Sequence, residues 1–199
     1  MGGIVYIHIL VLAVLLVSAP SWGADRKAWV HLTECQYIEH SSNDGDSFHV
    51  QCGEQVFVVR LYFVDAPEAT LRYPDRTREQ SEYFGVTLDE TLRAGRQATR
   101  LVRERLQTPF VVWTRWARAG GGTTMSRYYG IVEVEGQGLA ELLVSAGLAR
   151  TKGVIVTGPT GEPAHVVQER LQAFERTARQ HKRGMWATSS ASPAAQATP

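Results

Sequence analysis

Hydrophobic and polar positions change their spacing several times along this chain, and each change marks an element. Trp29 to Ile38 reads as a first strand and Asn43-Asp44-Gly45-Asp46 as a turn. Ser47-Phe48-His49-Val50-Gln51-Cys52 then alternates as a second strand should. Gly53-Glu54 makes a short turn before a third strand, Val56 to Val64, rich in Val and aromatic residues. Ala69 to Thr87 is polar, Arg-rich and interrupted by Pro74, so it reads as a surface loop. Thr91 to Leu106 is helical in period, with Leu92, Ala98, Leu101, Val102 and Leu106 able to share one face.

Phe110 to Trp116 is a fourth strand, Ala119 to Gly122 a flexible loop, and Tyr128 to Val134 a fifth strand. Leu139 to Ala146 reads as a short helix ended by Gly147, and Val154-Ile155-Val156 as a brief apolar segment. His165 to Arg183 is a final amphipathic helix, with Met185-Trp186 docking behind it. Strands at short spacing with a helix after the third and two after the fifth predict an α+β protein. The expected core is a five-stranded OB-type β-barrel with about three packed helices.

The two ends follow different rules. Ile4 to Val17 is almost unbroken apolar, then Ser18 to Ala24 brings small residues, as in a secretory signal with its cleavage site. The run is short of the ~20 residues a membrane span needs. Residues 1–23 are therefore expected to be a signal peptide, 24–187 one domain, and 188–199 a disordered Ala/Ser/Pro-rich tail. The mature protein is expected to be secreted or periplasmic, a monomer, and free of the membrane.

Composition alters this picture little. The chain has 199 residues, 44% hydrophobic and 21% charged, with a formal net charge of +1. That balance does not announce a nucleic-acid binder, so any field for an anionic substrate must come from local clustering of Arg. Cys35 and Cys52 lie almost symmetrically about the Asn43-Asp44 turn. In an exported chain they can meet across two antiparallel strands as a disulfide. Two buried free thiols are the plainer alternative. Two Cys without properly spaced His make a zinc site a poor fit.

The stretch richest in chemistry is Arg60-Leu61-Tyr62-Phe63-Val64-Asp65-Ala66-Pro67-Glu68. A strand that opens on a cation and closes on two carboxylates is hard to explain by packing alone. Asp44-Gly45 is a favoured turn pair, which leaves Asp46 unexplained. If the second and third strands pair, Asp46 and Asp65 converge into a hard oxygen site suited to Ca²⁺. A buried Arg60 must be paired or face a ligand. Arg127 alone reads as an ordinary surface Arg.

The order of these parts carries more than any one of them. Asp-Gly-Asp-Ser, the Arg60–Glu68 run, a helix, Ser-Arg-Tyr-Tyr-Gly, and Gly136-Gln137-Gly138-Leu139-Ala140-Glu141 through Gly147-Leu148-Ala149 resemble the thermonuclease (staphylococcal nuclease-like) family. The resemblance runs from about Trp29 to Trp186 and implies a Ca²⁺-dependent phosphodiesterase acting on DNA and RNA. It implies that Asp46, Asp65 and the Ala66 carbonyl are metal ligands. Glu68 matches the general base or water-orienting residue, and Arg60 and Arg127 match the pair that grips the scissile phosphate. Many members carry Thr where this chain has Ala66. The family's Tyr-Gly-Arg stands here as Met125-Ser126-Arg127, and its base-side tyrosines are not evident in Thr151 to Val154. Single-stranded or locally open DNA or RNA is the expected partner. Two rival readings are a non-catalytic OB-type binding module and an exported structural domain whose carboxylates bind Ca²⁺ for stability.

Overall fold

A computed structural model describes residues 27–120 and 125–188. The expected signal (1–23), almost all of the expected tail, and part of the Gly-rich loop after Ala119 lie outside the described residues. Strands β1 (Val30–Ile38), β2 (Ser47–Cys52) and β3 (Gln55–Leu61) form an antiparallel meander. Two longer strands follow the helical insertion, β5 (Phe110–Arg118) and β6 (Arg127–Val134). β5 pairs with both β1 and β6. Finally β3 pairs with β6 in parallel, so the ring β1-β2-β3-β6-β5 closes on itself. Closure removes the free edges that a small sheet would otherwise expose. The five-stranded OB-type barrel read from the sequence is the observed core.

Tight closure needs sharp local bends. β1 bulges between Leu32 and Cys35, and β5 between Thr114 and Arg118; Glu34 and Trp116 take positive φ there. Cys35 and Cys52 face one another across β1 and β2, with sulfurs 2.01 Å apart, at disulfide distance.

The expected third strand is broken. Phe63 sits at φ 69°, and its N–H donates to the Val154 carbonyl rather than to a ladder partner. Beyond it, β4 (Val64–Asp65) pairs with β8 (Arg150–Thr151) as a two-stranded ribbon outside the ring. The break turns the chain away from the barrel wall just before the Asp-Ala-Pro-Glu segment.

The stretch expected as a loop, Ala69 to Thr87, contains a helix, α1 (Pro74–Phe84). Pro74 does not disrupt it, because proline at the first helical position gives up an N–H that has no intrahelical partner. Gly85 ends it in the left-handed conformation. The next helix, α2 (Leu88–Arg105), begins three residues before expectation because Thr87 and Glu90 form a capping box. After β6 come the two-residue β7 (Gln137–Gly138), α3 (Leu139–Ser145), and α4 (Ala164–Gln180). A 3-10 turn (Gly184–Ala187) buries Met185 and Trp186, as expected. Among the described residues four α-helices thus pack on the barrel, one more than the sequence pattern suggested. The extra one carries residues of the site.

The core runs from Phe48, Val50, Val59, Leu61, Phe110 and Val112 inside the ring to Leu139, Leu143 and Leu171 beneath the helices. At the centre of its buried face α2 presents small residues, Ala94, Gly95 and Ala98. This lets two loops come close. A Cβ on Gly95 would stand 2.4 Å from the Glu68 carbonyl oxygen, and one on Gly45 would stand 2.6 Å from the Ala98 Cβ. The turn before Asp46 and the segment at Glu68 are thereby seated on the same stretch of helix. No helix among the described residues is long and apolar enough to cross a membrane.

Candidate active site

Antiparallel pairing sets Ser47 opposite Arg60, which places Asp46 at the mouth of the barrel beside the end of β3. Arg60 then joins the two acidic segments. Its Nη1 donates to Asp46 Oδ1, and its Nη2 lies 3.3 Å from Asp65 Oδ1. The other Asp46 oxygen accepts the Ala66 N–H at 2.7 Å. The expected convergence of Asp46 and Asp65 is present, and both carboxylates are almost fully buried.

Asp65 is the hub. Its Oδ2 accepts from Arg150 Nε at 2.9 Å, Arg150 Nη2 at 2.8 Å and Gln80 Nε2 at 3.1 Å; its Oδ1 accepts from Arg76 Nη2 at 2.5 Å. Burial alone would raise its pKa. The surrounding cations, Arg76 and Arg150 foremost, with the Gln80 hydrogen bond, outweigh that and hold it at about 2. Asp46 goes the other way: burial pushes it up to about 8 against the pull of Arg60, with Asp44 and Asp65 adding like charge. Glu68 is also raised, first by burial, with Arg76 opposing and the two aspartates reinforcing.

A cavity of about 550 Å³ opens above this cluster, lined by Arg60, Glu68, Arg76, Ser47 and Arg127 among others. Arg127 reaches it from the first residue of β6, which pairs with Val58 of β3. Its Nη1 lies 3.4 Å from Ser47 Oγ and its Nε 3.5 Å from the Ala119 carbonyl, both weak contacts. Arg60 and Glu68, from the two ends of one stretch, and Arg127, from far along the chain, therefore share one opening.

Three other site residues escaped the sequence reading. Gln80 is completely buried on α1 and holds the Asp65–Glu68 segment at three points. Its Nε2 donates to Asp65 and, at 2.9 Å, to the Ala66 carbonyl, while its Oε1 accepts the Glu68 N–H at 2.9 Å. Arg150, 3% exposed, also lies over the Tyr83 ring at 5.2 Å. Arg76 bridges the carboxylates: besides Asp65, its Nη1 is 3.1 Å from Glu68 Oε1 and its Nη2 is 3.9 Å from Asp46 Oδ2. The signal for Gln80 was its spacing from Thr77 and Phe84, the other buried residues of α1. That spacing carries meaning only once the segment is read as helix.

Whether these donors suit a metal can be judged from their kind. Asp46, Asp65 and the Ala66 carbonyl offer only hard oxygens, which Ca²⁺ prefers. Among the described residues no group of three or more His, Cys, Asp or Glu is arranged around one point. What the carboxylates do surround is the Arg76 guanidinium, a tethered cation in the position of a stand-in ion. The donor set fits a hard cation, and Arg76 competes for it.

A small closed barrel with buried carboxylates and two half-covered arginines at its mouth defines an OB-type domain. Comparison of the sequence with known families is more specific. The chain belongs to the staphylococcal nuclease homologue family, whose profile matches residues 58–188. The match takes in Arg60, Asp65, Ala66, Glu68 and Arg127, and begins after Asp46. A comparison with curated proteins gives no match.

Proposed function

We propose that this protein is an exported, Ca²⁺-dependent nuclease that hydrolyses phosphodiester bonds of DNA or RNA. The observation that carries the reading is the convergence of Arg60, Glu68 and Arg127 on one cavity directly above Asp46 and Asp65. Neither a structural Ca²⁺-binding domain nor a passive binding module needs that set.

Asp46, Asp65 and the Ala66 carbonyl are the residues that would hold the metal. When bound, Ca²⁺ supplies Lewis-acid polarisation of a phosphoryl oxygen. Arg60 and Arg127 present guanidinium forks to the other phosphoryl oxygens and stabilise the charge that grows there. Glu68 orients or deprotonates the attacking water, and its raised pKa makes it a better acceptor than an ordinary carboxylate. Water adds to phosphorus as the bond to the 5′ oxygen breaks, which leaves the 3′-phosphate ends that the family likeness implies. Neither arginine is the proton donor to the leaving oxygen, since guanidinium holds its protons to above pH ~12.

The expected export rests on the apolar Ile4–Val17 run followed by small residues, and it accords with the Cys35–Cys52 pair, which an oxidising compartment permits. Residues 24–187 would then be the mature nuclease domain. Recovery of mature protein outside the cytoplasm, with its N-terminus near residue 24, tests this part; recovery of the full chain in the cytoplasm would remove it.

One observation favours a second reading, a non-catalytic OB-type module. Arg76 already pairs with the carboxylates that the metal would need. A single assay separates the two: single-stranded DNA incubated with Ca²⁺ and with a chelator, beside a gel shift. Cleavage that stops on chelation is expected. Retention without cleavage, indifferent to chelator, supports the binding module and ends the nuclease reading.

A further inference from the structure

A second opening lies on the barrel wall beside the phosphate cavity. It has a volume of about 640 Å³ and is lined by Lys27, Tyr62, Arg115, Trp116, Arg118 and Tyr128, with Ala117 and Val156. Every titratable lining group other than the tyrosines is a cation; no carboxylate lines it. Lys27, Arg115 and Arg118 form no ion pair among the described residues. The Arg115 guanidinium lies over the Trp29 ring at 5.1 Å, and its Nε has no hydrogen-bond partner. Lys27 and Arg118 are exposed, and Trp116 and Tyr128 are half-exposed.

The two openings share no lining residue, but two short links of sequence and strand pairing run between them. Arg127 lines the first and its neighbour Tyr128 lines the second; Arg118 is the strand partner of Tyr128. Arg60 lines the first and is paired across β3–β6 with Tyr129. The Tyr129 ring stacks on Tyr62, centroids 5.0 Å apart, and Tyr62 lines the second opening. Strand β6 therefore borders both openings, with cations and aromatic rings along it.

We propose that this groove binds a single-stranded polynucleotide, holding the nucleotides that continue from the phosphate seated between Arg60 and Arg127. Backbone phosphates meet Lys27, Arg115 and Arg118, and unpaired bases lie against Trp116 and Tyr128, the partly exposed rings of the groove, while Tyr62 is buried behind them. Aromatic surface interleaved with cations is the usual platform for a single strand, whereas a duplex keeps its base faces hidden. The inference rests on the nuclease reading for its orientation, and on its own geometry for the groove itself. It also supplies stacking surface that the Thr151–Val154 segment, which has no aromatic residue, does not.

The test uses K27E/R118E, two exposed positions outside the cleavage machinery. Binding of fluorescent dT12 and rU12 is measured with chelator present, so that cleavage plays no part. Hydrolysis of a dinucleoside monophosphate, which fills only the first cavity, is measured with Ca²⁺. The double variant should bind dT12 at least tenfold more weakly. Its log K against log salt should flatten by roughly 1.4, about 0.7 for each phosphate that is no longer neutralised. Dinucleotide hydrolysis should match wild type, and the two oligonucleotides report whether the groove prefers one sugar. Unchanged dT12 and rU12 affinity would overturn the proposal. Equal loss on long and short substrates would overturn it as well, since that places the effect in the first cavity. If wild type cleaves nothing yet the variant loses dT12 affinity, the groove stands and the nuclease reading falls.

Discussion

The packing of α2 against the Glu68 segment makes a prediction that separates stability from activity. Gly95→Ala adds one methyl group where the Glu68 carbonyl oxygen stands 2.4 Å from the new Cβ, its carbonyl carbon 2.5 Å and the Ala69 nitrogen 2.6 Å. All three are backbone atoms, so no side chain can rotate away. Ordinary contact begins near 3.4 Å, so helix and segment must part by about 1 Å. Replacing Gly by Ala inside a helix favours the helix by up to about 1 kcal/mol, and overpacking costs roughly 1–3 kcal/mol. Net stability should therefore fall by no more than about 3 kcal/mol. A misplacement of that size at a catalytic group can cost on the order of 100-fold in rate. The expected result is a folded variant with Tm lowered by a few degrees and kcat on single-stranded DNA down about 100-fold. Gln97→Ala, on the exposed face of the same helix, should change neither readout. If Gly95→Ala folds normally and keeps kcat within twofold of wild type, the claim that α2 sets the position of Glu68 is wrong.

Four other outcomes follow from the same geometry. Arg127→Ala should lower kcat by orders of magnitude with Tm nearly unchanged, because its own contacts are weak; unaltered turnover would remove Arg127 from the site. Arg76→Ala should tighten Ca²⁺ binding, read by calorimetry, by about tenfold, the low end of what one charge-assisted hydrogen bond of about 1.5–3 kcal/mol allows for a partly exposed group; weaker binding would contradict the competition between Arg76 and the ion. Cys35→Ser with Cys52→Ser should lose about 3 kcal/mol in urea unfolding, as a cross-link spanning 17 residues implies, and a reductant should shift wild type alone. Asp65 has its folded pKa depressed to about 2 from 3.8, so its contribution is full above pH 4 and is lost as pH falls through 2. That is about 2–3 kcal/mol, and Asp65→Asn should flatten unfolding midpoints across that window.

The barrel was legible because its signals are local. Alternating residues in Ser47–Cys52 and the turn at Gly53-Glu54 prescribe a hairpin whatever surrounds them. The break at Phe63 was not legible, since a hydrophobic aromatic in a hydrophobic run gives no sign of a positive φ, which comes from the docking of the segment onto Val154. The helix α1 was missed for a different reason. Its Arg, Glu and Gln residues read as solvated loop, yet Arg76 and Gln80 turn inward to carboxylates far away in sequence. Of the charges named by family likeness, Arg60, Glu68 and Arg127 line one cavity, and Asp46 and Asp65 pair with Arg60 beneath it. What the likeness did not supply was their support: Gln80 beneath the turn, Arg150 behind Asp65, and the small face of α2.

Arg76 has a consequence for how this protein comes into being. A domain whose acidic cluster had no internal counter-charge would depend on dissolved cations to finish folding, as small zinc domains do. Here α1 delivers a positive charge to Asp46, Asp65 and Glu68 along with the helix itself. The acidic cluster is thus neutralised from within the chain, with no dissolved ion required for that charge balance. Readiness to fold and readiness to act become separate events, and on the proposed nuclease reading calcium would govern only the second.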